Sequence, residues 1–184
     1  SKPLDKFPAF IANLDFFDLA KTSTLNFIRS RKSKSPLMEK ELFLDLLKQN
    51  IQSCSYAFDA ITEENNNHRL HESAASVGFI LRHVGETMLL FGYFYGIPTD
   101  ATNTTMGKQD TGQGKDLSTS RELLEKGYAL LEQIITSTPN EGWFEPVETP
   151  FFGTVSKARL FSHILYHNSY HAGQVALTIK RASK

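Results

Sequence analysis

The sequence predicts an all-α protein, a four-helix bundle preceded by an N-terminal extension. Strand signals are scarce, and apolar residues recur at helical rather than alternating spacing. Four segments of helical length are each bounded by capping or breaking residues, the pattern of a bundle. With 184 residues, 40% of them apolar and 22% charged, the chain can close a core as one folded domain.

Residues 1–36 read as the extension, with Pro3 and Pro8, a helix-compatible stretch over 9–28 and the basic, serine-rich run Ser30–Ser35. The bundle is assigned to 37–184. Pro36 stands where a helix start tolerates proline. The first helix is expected to run from there to about Asn65, with Leu42, Leu46, Ile51, Ala57, Phe58 and Ile61 as its apolar face. The polar run Glu63–Ser73 is a connection. A second helix spans about Ser73–Tyr95, closed by Gly96 and Pro98. Thr99–Leu117 is rich in Thr, Gly, Asp, Asn and Gln and reads as a long loop. Ser118 opens a third helix with good capping choices, ending near Ser137–Pro139. Residues 140–155 are irregular, with a short extended pair around Val147 and Val155. The fourth helix runs from near Ser156 to about Arg181, and no internal repeat is visible.

Composition narrows the function classes. Twenty Lys+Arg against 20 Asp+Glu give zero net charge, which argues against nucleic-acid or acidic-membrane partners. The single cysteine, Cys54, excludes a disulfide-stapled scaffold and reads as a packed thiol. No apolar run approaches the roughly 20 residues that span a bilayer. Asp5, Asp15 and Asp18 interrupt the apolar N-terminal stretch, which makes a poor signal peptide, so a cytoplasmic protein is expected. No P-loop, dinucleotide or nucleophile-elbow fingerprint is present.

Chemistry concentrates in the histidines. His163, His167 and His171 stand at i, i+4 and i+8, on one stripe of the fourth helix. Leu160, Ile164, Gln174 and Thr178 share that stripe, whereas Ser162, Ser169, Gly173 and Lys180 lie opposite, so the histidines point inward. His83 shares its arc on the second helix with Phe79, Ile80, Thr87 and Leu90, and points inward too. An inward imidazole needs partners for its nitrogens, and either core hydrogen bonds or a metal can supply them. An i,i+4 pair offers two ligands to one ion, and His83 a third across the bundle; three imidazoles with open positions describe a catalytic metal site. His68 and His71 fall in the polar connection and are expected to be solvated. Glu86, three residues after His83, could orient a ligand, act as general base, or simply pair along its helix.

Two segments resemble one family. SVGFILRHVGETMLLFGYFYG, around His83, is similar to the second-helix motif of the DinB/YfiT superfamily of bacterial metal-binding four-helix proteins. LFSHILYHNSYHAGQVALTIKR is similar to its fourth-helix ending, and ETPFFGTVSKARLFSHIL to the approach to that helix. The resemblance covers roughly 37–181. The family's usual arginine before Gly-Gln is Ala172 here. The resemblance implies an up-down-down-up bundle and a metal triad of His83, His167 and His171, with a divalent transition metal, zinc or nickel, as cofactor. His163 and Gln174 are then expected around the triad or lining the pocket. It also implies a metal-dependent enzyme of small molecules, either a transferase using a low-molecular-weight thiol or a hydrolase. A non-catalytic metal- or ligand-binding stress protein is the alternative, and a di-iron bundle fits poorly because inward Glu-x-x-His pairs are lacking.

Gly78, Gly85 and Gly92 repeat every seven residues on the second helix, opposite His83. Glycine inside a helix is unfavourable by roughly 0.5–1 kcal/mol against alanine. The stripe is therefore expected to meet a close neighbour, either the extension or the same helix of a second subunit in a homodimer.

Overall fold

The computed structural model describes residues 36–182, which form four helices and one hairpin. The expected extension, its helix and the basic run lie outside the described residues, apart from Pro36. The helices are α1 (Pro36–Phe58), α2 (Val77–Phe91), α3 (Leu117–Ser137) and α4 (Lys157–Ala182). Short 3-10 turns follow α2 at Gly92–Tyr95 and precede the hairpin at Glu141–Phe144. The hairpin pairs β1 (Pro146–Thr149) antiparallel with β2 (Gly153–Ser156), placing Val147 opposite Val155 as expected.

Helix directions follow from which residues meet. Gly78 and Gly85 of α2 and Gly92 of the turn that follows it face Gly114, Leu123–Leu124 and Leu130 in turn, so α2 and α3 run parallel. Phe43 meets Phe161 and Asn50 meets Leu165, so α1 and α4 are parallel as well. His83 meets His167 while Phe91 meets His163, which makes α2 and α4 antiparallel. Lys40 reaches Thr136 and Arg121 reaches Ile61, which does the same for α1 and α3. The result is an up-down-down-up bundle, and the parallel pair α2–α3 is why so long a crossover, residues 96–116, must separate them. No described helix is long and apolar enough to cross a membrane.

Three expectations need correction. First, α1 ends at Phe58, not near Asn65. Beyond it, Asn65 accepts from the Thr62 amide and donates to the Ala60 carbonyl, so a side chain takes over backbone partners that a helix would have used. Second, the core face of α1 is only partly the one expected. Ala57 and Phe58 are buried as expected, but Leu42, Leu46 and Ile51 are exposed at 57%, 45% and 37%, and Leu47, Asn50 and Cys54 take their place. The buried residues keep to a single helical stripe. Third, the glycine stripe is covered within the chain. A Cβ on Gly85 would stand 2.7 Å from the α3 backbone at Leu123 and Leu124, and Gly92 abuts the Ile97 carbonyl and Leu130. The stripe therefore lends no support to a dimer.

The start of α2 is fully accounted for. The amides of Val77, Gly78 and Phe79 donate to His68 O, Asn66 O and Ser76 Oγ, which satisfies donors a helix N-terminus leaves open. The helix thus starts after its cap Ser76, not near Ser73 as expected. Asp110 of the crossover accepts from the Ser76 amide at 2.8 Å and its hydroxyl at 2.6 Å, and pairs with Arg69 at 2.8 Å. Connection, crossover and helix start are thereby tied to one another. The core runs from Leu81, Met88, Leu131 and Ile164 to an aromatic end where Trp143 stacks on Phe43 at 4.1 Å.

Candidate metal centre

Helical geometry sets the site. One turn of α4 separates His167 from His171, and α2 brings His83 opposite them across the antiparallel contact. One ligand nitrogen from each of the three lies within 4.8 Å of the others, the one such cluster of His, Cys, Asp or Glu among the described residues. His83 Nε2 and His167 Nε2 are 3.0 Å apart, and the His167 and His171 rings are 4.4 Å between centroids. Two nitrogens at that separation can share an ion at the usual 2.0–2.1 Å.

The surroundings hold the rings in a definite state. Burial, reinforced by the neighbouring His171, pushes His83 down to about 4. Burial with His171 and His83 nearby pushes His167 down to about 3. Burial also lowers His171, against the hydrogen bond it makes to Gln174 Oε1, which raises it. All three are therefore neutral at pH 7, the form that ligates metal.

Glu86 is almost wholly buried, 1% exposed. Its Oε1 accepts from Arg82 Nε at 2.7 Å and Thr104 Oγ1 at 2.5 Å. Its Oε2 accepts from the Thr104 amide at 2.9 Å and Thr105 Oγ1 at 2.8 Å. Burial alone would raise this carboxyl, but the hydrogen bonds from Thr104 and Thr105 and the Arg82 charge outweigh it and hold Glu86 ionised. Four donors on its two oxygens, from Arg82 and from Thr104 and Thr105 of the crossover, engage Glu86. Its link to the triad passes through Thr105, whose Oγ1 lies 3.2 Å from His83 Nδ1. A carboxylate only accepts, so the Thr105 proton goes to Glu86 and the His83 bond must be donated by Nδ1–H. The Nε2 lone pair of His83 then faces His167.

Gln174 plays the corresponding part on α4. Its Oε1 is 2.7 Å from His171 Nδ1, and its amide donates to Tyr170 Oη at 3.1 Å. The ring is thereby set as an Nδ1–H donor with Nε2 bearing the lone pair. His167 Nδ1 is buried without a hydrogen bond of good geometry, although the Asn168 side chain is close enough to act on it. His163 stands outside the cluster, its ring 6.2 Å from that of His167 and packed at 4.6 Å against Phe152. His71 is exposed as expected, but His68 is half-buried with its Nδ1 enclosed.

The donor set fits a divalent transition metal: three neutral imidazoles, two with the outer nitrogen committed, converge on one point. Sequence reasoning missed Thr104 and Thr105, which sit in a motif-free crossover; of the Glu86 partners only an unnamed one along its own helix was expected, and it is Arg82.

The family model described as the DinB superfamily matches residues 46–175. Among solved structures, one similar to the chain is YfiT from Bacillus subtilis, described as a probable metal-dependent hydrolase with an unusual four-helix bundle topology. The two share 12% identity with a TM-score of 0.63, over 83% of this chain and 92% of that one, a likeness of fold. No match was found among curated proteins.

Proposed function

We propose that this chain, which belongs to the DinB superfamily, is a metal-dependent hydrolase of small molecules acting through His83, His167 and His171. The observation that carries the reading is the convergence of three neutral imidazoles on a point reached from a cavity, rather than enclosed in the core. A bound divalent metal supplies Lewis acidity there, polarising a carbonyl and acidifying water. The chain's own residues do the rest. Thr105, held by Glu86, and Gln174 fix the His83 and His171 rings with Nε2 available. The likeness to a protein described as a probable metal-dependent hydrolase supports the same reaction class. Thiol transfer rests on the family resemblance alone.

The test is to strip the full chain with chelator and reload it with zinc, nickel or manganese. Bound metal is counted by elemental analysis, and turnover is followed on a panel of small neutral esters and amides. One metal per chain is expected, with hydrolysis restored on loading and lost in His83→Ala and His171→Ala but retained in His163→Ala. Equal loss of metal in His171→Ala and His163→Ala would refute the assignment of the triad. Metal bound without turnover of any ester or amide would sink the hydrolase reading and leave a binding protein.

A further inference from the structure

Beside the triad lies a cavity of about 310 Å³, with His83 and His171 on its wall. That volume is at the lower end of small-molecule pockets. Its remaining wall is mostly apolar: Leu70, Ala74 and Ala75 from the connection, and Phe79 and Ile80 from α2. Three polar side chains complete it, and each is already engaged. Thr105 donates to Glu86 and accepts from His83. Gln174 is held between His171 and Tyr170. Thr178 donates to the Gln174 carbonyl. No Asp, Glu, Lys or Arg lines the cavity. The nearby cation of the connection, Arg69, is tied to Asp110 and to the Ala74 carbonyl at 2.5 Å. A larger groove of about 700 Å³ does carry charge, with Arg82, Asp100 and Lys126, but none of the triad lines it.

Within reach of His83 and His171, then, the walls offer contact mainly to carbon and no counter-charge to an ionised group. An ionised group entering there would lose its hydration with no opposite charge in the walls to offset the loss, whereas an alkyl chain gains from leaving water. We infer that this cavity seats an uncharged apolar group of the substrate, so that the substrate class is neutral molecules carrying an alkyl or aryl arm next to the scissile bond. The inference rests on the metal-centre reading for the position of that bond. The apolar seat itself does not.

Two arms test the full chain. Zinc-loaded protein is titrated calorimetrically with acetohydroxamate, hexanohydroxamate and a chain of the same length ending in a carboxylate. Each added methylene should tighten binding by up to about fourfold (~0.8 kcal/mol) until the cavity is filled, and the terminal carboxylate should abolish the gain. Leu70→Asp at the rim and Ala75→Leu within the cavity should both remove the gain while leaving acetohydroxamate unchanged. In the second arm, metal-free protein is titrated with hexanamide and acetamide while the methyl resonances of Leu70, Ala75 and Ile80 are followed. Only hexanamide should shift them. Equal affinity across chain lengths with acetohydroxamate bound, or no methyl shift with hexanamide, overturns the apolar seat and leaves the metal centre standing. Methyl shifts with no hydroxamate binding overturn the metal-centre reading and preserve the seat.

Discussion

At the scale of single residues, the question is what holds each imidazole in a ligating state. Four inward histidines, His83, His163, His167 and His171, were legible from helical periodicity, because the i, i+4 spacing fixes a stripe whatever surrounds it, and the family resemblance singled out the three that meet. Their partners were less so. Gln174 shares the His171 stripe and could be read, whereas Thr105 reaches His83 only because the crossover folds back over α2. The proton order from His83 through Thr105 to Glu86 gives a prediction. Thr105→Val keeps the shape but removes the acceptor for Nδ1–H and should weaken zinc binding roughly 10- to 100-fold. Thr105→Ser should retain near-normal affinity, since its hydroxyl can serve both bonds. Glu86→Gln should behave like the valine variant, because the new amide N–H opposes donors already pointing at that position. Competition titration against a chromogenic chelator reads all three. Normal zinc affinity in Thr105→Val would show that the relay does not set the ring.

At the scale of elements, helix existence was readable and helix ends were not. Periodicity marks a face, but the ends were decided by side chains competing for backbone groups: Asn65 beyond α1, Ser76 and Asp116 as caps of α2 and α3. The glycine stripe shows the same division. The repeat announced a close neighbour, but which one depended on chain direction, and the parallel crossover delivered α3. Two alanine substitutions separate propensity from packing. Gly173 on α4 is exposed, and nothing stands within 4 Å of a Cβ added there. Gly173→Ala should therefore stabilise by about 0.5–1 kcal/mol through helix propensity. Gly85→Ala has the same propensity gain, but its Cβ would stand 2.7 Å from the α3 backbone, which has no flexible end to move aside. Overpacking typically costs about 1–3 kcal/mol, so the sum should be destabilising. Thermal melts of the two variants should shift in opposite directions, and a rise for both would mean that α3 can retreat from α2 without loss.

At the scale of the whole molecule, the triad joins the two halves of the bundle. α2 packs parallel to α3 and α1 parallel to α4, and the shared aliphatic core between the pairs contains Leu81, Met88, Leu160 and Ile164. His83 belongs to one pair, and His167 and His171 to the other. An ion held by all three binds the folded chain and has no such site in the unfolded one, so binding free energy appears as folding stability. With free zinc at about 100 times its dissociation constant, that amounts to roughly 2.7 kcal/mol, or about 8 °C in Tm for a domain of this size. The gain should vanish in His83→Ala, which leaves both α4 ligands on one helix with no bridge to α2. It should persist in His163→Ala, whose ring lies outside the cluster. Differential scanning fluorimetry of loaded and chelated protein decides the matter. A full shift retained in His83→Ala would place the ion on α4 alone and break the link between the site and the packing of the two pairs.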